Sequence, residues 1–127
     1  MNLRALFGIH AVVTFAAGVV LVVAPAAIPN TVGIHIEPSA YLLCYLLAAA
    51  EFGFSALSWA ARTITDASAL RVIVMACIVL HAASGVLEIY ALAEGLNAAI
   101  WVNVAVRAVI IALFINFGLK AAHPEEG

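Results

Sequence analysis

The stretch ALRVIVMACIVLHAASGVLEIYALA, residues 69 to 93, decides how this chain is read. Its side chains are apolar or small almost throughout, and Arg71, His81 and Glu88 are its only basic, acidic or imidazole groups. A helix of about 20 apolar residues is what a bilayer core requires. Three further runs have the same character. They are LFGIHAVVTFAAGVVLVVAPAAI (6–28), SAYLLCYLLAAAEFGFSALSWAA (39–61) and AAIWVNVAVRAVIIALFINFGL (98–119). Of the 127 residues, 67% are hydrophobic and 9% charged, with a mean hydropathy of +1.19. A water-soluble domain has about a quarter of its residues charged, so this composition does not furnish a water-facing surface. Backbone groups in lipid must be satisfied within the segment, which selects helices.

The expected fold is therefore all-α and integral to a membrane. Residues 1–127 form one domain of four transmembrane helices, at about 4–28, 39–62, 69–93 and 98–120, in an up-down-up-down bundle. Pro25, Pro29, Asn30 and Gly33 close the first helix, and Pro38-Ser39 opens the second. Polar turns at Thr63–Ser68 and Glu94–Asn97 separate the rest. The first run is longer than a usual signal core and is expected to be retained as a span.

With four alternating spans, Arg4, Arg62, Arg71 and Lys120 all fall on one side. The opposite loops, 25–38 and 94–97, carry Glu37 and Glu94 and no Lys or Arg. The positive-inside rule then places both termini in the cytoplasm, with the chain in an inner (plasma) membrane. Trp59, Trp101, Tyr41 and Tyr90 fall near helix ends, as an interfacial aromatic belt does. Cys44 and Cys77 lie inside helices, without the spacing of a zinc site or a redox pair, and read as small buried apolar residues. The formal net charge of −2 and the lack of a basic cluster exclude a nucleic-acid partner.

Ionisable groups inside the spans carry the functional reading. At 1.5 Å rise per residue, Glu51 lies about 16 Å from Arg62, His81 about 15 Å from Arg71, and Arg107 about 20 Å from Lys120. All three are near the midplane of a core about 30 Å thick. His10 is shallower, about 9 Å from Arg4, and Glu88 and Asn103 share a depth of about 25 Å, where they are expected to hydrogen-bond. Each helix has one stripe of small or polar residues: His10, Thr14, Gly18; Cys44, Ala48, Glu51, Ser55, Ser58; Cys77, His81, Ser84, Gly85, Glu88; Asn103, Arg107. Arg107 keeps its proton and needs an acid, and depth makes Glu51 its best match. With Glu51 and Glu88 ionised against one arginine, the interior has one negative charge in excess. A proton on Glu88 or a histidine balances it.

The leading expectation is thus a cavity around Glu51, His81, Arg107, Glu88 and Asn103 that binds or translocates a small ligand, proton or cation. Transport by so small a chain would call for a homo-oligomer. One alternative is an accessory or assembly subunit that docks another membrane protein, with a structural ion-pair network. Another is a membrane protein holding haem at His10 and His81, or a metal at His81, Glu88 and Glu51. No cofactor is required by the leading reading. His35 and Glu37 in the outer loop read as solvated. No GxSxG elbow, P-loop, HExxH or dinucleotide fingerprint occurs, so an enzyme is the less favoured class.

The outer loop VVAPAAIPNTVGI (22–34) after a Gly-bearing first helix, with AAAEFGFSALSWAAR (48–62) as a small-residue second helix, resembles small uncharacterised four-helix proteins of bacterial inner membranes. That resemblance covers the first half of the chain and implies the architecture alone. The size also invites comparison with small multidrug resistance transporters, which place an essential carboxylate in their first helix. This chain departs from that pattern, having His10 and no acid there.

Overall fold

In the computed structural model, which describes residues 1–119, the chain is helical, with no strand among the described residues. Lys120, the fourth basic marker, and the tail beyond it lie outside the described residues. Asn2 caps the first helix, α1 (Leu3–Val23), by accepting from the Ala5 N–H at 2.9 Å. The helix stops earlier than the apolar run. Ala24 leaves helical geometry (φ −137°, ψ 71°) directly before Pro25, a position from which proline excludes the helical region. A short helix, α2 (Ala27–Thr31), follows. A single 3₁₀ turn, Pro38–Ala40, then leads into α3 (Tyr41–Ala61).

Asp66 caps α4 (Ala67–Ala93), taking the Ala69 N–H at 2.7 Å and the Ser68 hydroxyl at 2.6 Å. At its far end Gly95 takes φ +102°, which glycine adopts freely. Gly95 N donates to Leu92 O and Leu96 N to Ala91 O, the paired bonds of a Schellman ending. The last helix, α5 (Ile100–Phe114), widens into a π turn at Ile115–Leu119.

The helices α1 and α4, α3 with its 3₁₀ turn, and α5 with its π turn are each of a length and composition that can cross a membrane. α1 runs antiparallel to α3: Leu6 packs near Ala61, His10 meets Ser58, Ala11 meets Ser55, and Leu21 packs by Cys44 and Ala48. α4 and α5 form the second antiparallel pair, with Val74 against Gly118 at one end and Glu88 against Arg107 further along. The two pairs join through an apolar cluster drawn from all four helices: Leu6, Phe7, Ala61, Val74, Cys77 and Phe114. Phe7, Val74, Cys77 and Phe114 are completely buried. A smaller cluster, Leu21, Cys44 and Ala48, closes the other end of the α1–α3 pair only. The bundle is therefore tight near Arg4 and looser beyond its middle.

The outer faces are apolar. Leu42, Leu43, Val72, Val86, Leu87 and Val102 are each 63% or more exposed. Burying one such side chain is worth about 1.5–3 kcal/mol, so these faces are suited to an apolar surrounding. Both cysteines are free and buried, as small apolar residues are.

Candidate functional site

Helical spacing fixes which side chains point inward. On α1 the buried positions are Leu6, Phe7, His10, Ala11, Thr14, Gly18 and Leu21, steps of three and four. The same periodicity buries Ser55 and Ser58 on α3 and Cys77, His81 and Gly85 on α4. His10 and His81, on diagonally placed helices, meet in the centre with Nε2 to Nε2 at 2.9 Å and ring planes 84° apart. His10 Nδ1 lies 2.7 Å from Ser58 Oγ. His81 Nδ1 lies 3.3 Å from an Nη of Arg107. Arg107 Nε in turn donates to Glu88 Oε1 at 2.9 Å, an ion pair. The stem of Arg107 crosses α4 at Gly85, where a Cβ would come within 3.8 Å of its Cδ. A side chain on α5 thereby reaches both His81 and Glu88, seven residues apart on one face of α4.

The result is one hydrogen-bonded chain, Ser58–His10–His81–Arg107–Glu88, through all four helices. Its direction follows from donors. A guanidinium only donates, so His81 accepts at Nδ1 and carries its hydrogen on Nε2. That hydrogen is given to His10 Nε2, and His10 carries its own on Nδ1, facing Ser58. Both rings are neutral in this arrangement. An added proton on either ring puts a hydrogen on His81 Nδ1, opposite Arg107, directly or by reversing the central bond. Protonating the histidine pair therefore breaks the Arg107–His81 contact.

Beside this chain lies a cleft of about 180 Å³, with Thr14, Glu51, His81, Asn103 and Arg107 as its polar lining and Val13, Ala17, Val106 and Ile110 as the remainder. It opens between α1 and α5. Glu51 is half-buried in it and has no hydrogen-bond or ion-pair partner among the described residues. The guanidinium of Arg107 acts on Glu51 electrostatically across the space. Glu88 Oε2 is buried and without a partner among the described residues.

Four of the five residues expected from sequence, Glu51, His81, Asn103 and Arg107, line one cleft, and Glu88 adjoins it through Arg107. Two expected pairings are replaced. Arg107 bonds Glu88 rather than Glu51, because both lie on the adjacent antiparallel helices α4 and α5, whereas α3 is diagonal to α5. Glu88 is consequently not bonded to Asn103. The estimated depth offset between His10 and His81 also disappears. The offset arises only if Arg4 and Arg71 are level, since ten residues separate Arg71 from His81 and six separate Arg4 from His10. α4, at 27 residues against 21 for α1, projects further at the arginine end.

Ser58 was visible in sequence as part of a polar stripe, but its bond to His10 was not. Phe114, edge-on to His10 with centroids 5.3 Å apart, gave no signal beyond apolarity. As axial ligands, His10 and His81 would be arranged differently: a metal about 2.0–2.1 Å from each nitrogen separates them by about 4 Å when collinear. Among the described residues no three or more His, Cys, Asp or Glu converge as a metal-binding group, so His81, Glu88 and Glu51 do not form one.

No family model, no curated protein and no solved structure matches this chain. Its likeness to small membrane proteins rests on the four apolar helices alone.

Proposed function

We propose that this chain is an integral membrane protein whose interior cleft takes up a proton or small monovalent cation at Glu51, coupled to the position of Arg107. The supporting observation is the unpaired Glu51 carboxylate beside the Ser58–Glu88 hydrogen-bonded chain. Glu51, Glu88 and Arg107 sum to one negative charge, which a proton or monovalent cation neutralises. Intramembrane ionisable groups at a cavity mark ion pathways and proton relays. The cleft has room for a small cation with several waters.

A structural ion-pair network, as in an accessory subunit, explains Arg107 and Glu88 but leaves Glu51 without a role. A charge at the bilayer centre costs about 2.5–3.5 kcal/mol on insertion scales, so an acid there calls for a use. The histidine pair supplies coupling: a proton on His10 or His81 displaces Arg107, which stays tethered by Glu88 while its Nη groups move relative to Glu51. The lateral opening between α1 and α5 makes a second copy of the chain the natural wall for a closed path. In the membrane, Arg4, Arg62 and Arg71 face the cytoplasm, with Glu37 and Glu94 opposite.

Proteoliposomes with a trapped pH-sensitive dye test this. An imposed NaCl or KCl gradient is expected to drive a pH change in the wild type, lost in Glu51→Gln and strongly reduced in His81→Gln, with helicity checked by circular dichroism. Wild-type vesicles that behave like empty ones, or an unaltered Glu51→Gln response, overturn the proposal. Inert wild-type vesicles favour the accessory role.

A further inference from the structure

We infer that the α1–α3 face at the arginine end binds an anionic phospholipid, with its phosphate at Arg4 and Arg62 and an acyl chain against Ile9, Val12 and Val13. A groove of about 600 Å³ runs there, lined by Arg4, Arg62, Trp59 and Gly8 together with those three apolar side chains. A second hollow of about 390 Å³, shared by Arg4, Trp59, Arg62 and Thr63, adjoins it. Arg62 is held in place. Its guanidinium carbon stacks 4.2 Å from the Trp59 ring centroid, and its side chain crosses α1 at Gly8, where a Cβ would lie 3.5 Å from Nε.

Neither arginine has an anionic partner among the described residues. The one ion pair among the described residues is Arg107–Glu88. The single described acid at this end, Asp66, turns its carboxylate to the Ser68 hydroxyl and the Ala69 N–H. Two guanidinium groups without an anionic partner among the described residues, lining one groove with apolar side chains, match a molecule with an anionic head and a hydrocarbon tail. Basic pockets between membrane helices recognise such headgroups, and a planar guanidinium grips phosphate bidentately. The groove and the Glu51 cleft share Val13 in their linings, but neither arginine of the groove lines that cleft, which opens between α1 and α5. The inference rests on the reading of α1 and α3 as membrane spans.

Quenching of Trp59 fluorescence by brominated lipid tests it on the full chain in vesicles. Trp101, the other tryptophan and 51% exposed, is replaced by Phe so that Trp59 reports alone. At equal low mole fraction, brominated phosphatidylglycerol is expected to quench Trp59 more than brominated phosphatidylcholine. Two arginines correspond to a relative affinity of about 30-fold, falling about fivefold with each of Arg4→Gln and Arg62→Gln. Arg62→Lys, which keeps the charge and loses the stacked plane, is expected to fall between. Equal quenching by the two lipids overturns the site while leaving the membrane reading intact. Quenching by neither overturns the membrane reading itself. A preference abolished by excess inorganic phosphate reassigns the arginines to a free anion and overturns the lipid assignment.

Discussion

Replacing Glu88 by Gln keeps the shape of the side chain and its acceptor for Arg107 Nε, and removes only the charge. The pair is short, 2.9 Å, with its members 26% and 17% exposed. Two unit charges about 4 Å apart attract by about 4 kcal/mol at an effective dielectric of 20. Partial exposure lowers this, and we expect a coupling of about 2 kcal/mol. The assay is a double-mutant cycle of Glu88→Gln and Arg107→Met, unfolded reversibly in mixed micelles and followed by circular dichroism. Each single change is expected to destabilise the bundle. The double variant should be more stable than their sum by about 2 kcal/mol, since it leaves neither charge stranded. The parallel cycle of Glu51→Gln with Arg107→Met should show a much smaller coupling, because Glu51 lies across the cleft with no direct bond. Additivity within about 0.5 kcal/mol for the Glu88 cycle, or the larger coupling falling on Glu51, would refute the assignment of Arg107 to Glu88.

Two further outcomes are expected. Gly118→Ala places a Cβ 2.7 Å from both methyls of Val74, a stiff, fully buried side chain. Destabilisation of about 1–3 kcal/mol is expected, with Val74→Ala in the same chain relieving part of it; a neutral Gly118→Ala in thermal unfolding would contradict this packing. At the Asp66 cap, hydrogen bonds from Ser68 first and the Ala69 N–H second hold the carboxyl below its usual range. A depressed folded value means the stabilisation is present above the unfolded value, near 3.9, and is lost as pH falls through the folded one. Asp66→Ala should lower the thermal midpoint at neutral pH, and its deficit relative to wild type should shrink on acidification. A deficit independent of pH would show that the charge takes no part in the cap.

Much of the fold was legible because apolar runs and their breakers act locally. Pro25, Pro38, Asp66 and Gly95 each end or begin a helix for reasons contained in a few residues. The inward faces were equally legible, since a period of 3.6 assigns His10, Ser55, Ser58, His81 and Arg107 to interior stripes without knowledge of partners. Which groups pair was not legible. Pairing depends on the relative axial offset of helices, and charged residues near membrane ends mark depth only to within a turn or two. An offset of four residues between the arginine markers of α1 and α4 is about 6 Å, enough to separate two histidines on paper that share a hydrogen bond in the structure. The choice of Glu88 over Glu51 likewise turns on which helices are adjacent, and neither hydropathy nor spacing encodes that.

The placement of the polar chain against the apolar clusters bears on where exchange with an aqueous phase occurs. On the arginine side His10 rests on Phe114, which is tilted at 56° against Phe7 with centroids 5.6 Å apart. Both aromatic rings are completely buried, and the polar chain ends at Ser58, which like the thiol-bearing Cys77 of the adjoining apolar cluster is fully buried. A thiol is a weak donor and acceptor, so the Ser58 end is a poor exit for a proton. At the other end Arg107 and Glu51 border the open cleft. On the proposed reading, protons therefore enter and leave the histidine pair from the Arg107 side, and the Phe7–Phe114 plug keeps the arginine end shut. Passage through the bundle then requires Phe114 to move, and its edge-on contact with His10 makes the charge on that histidine the natural trigger.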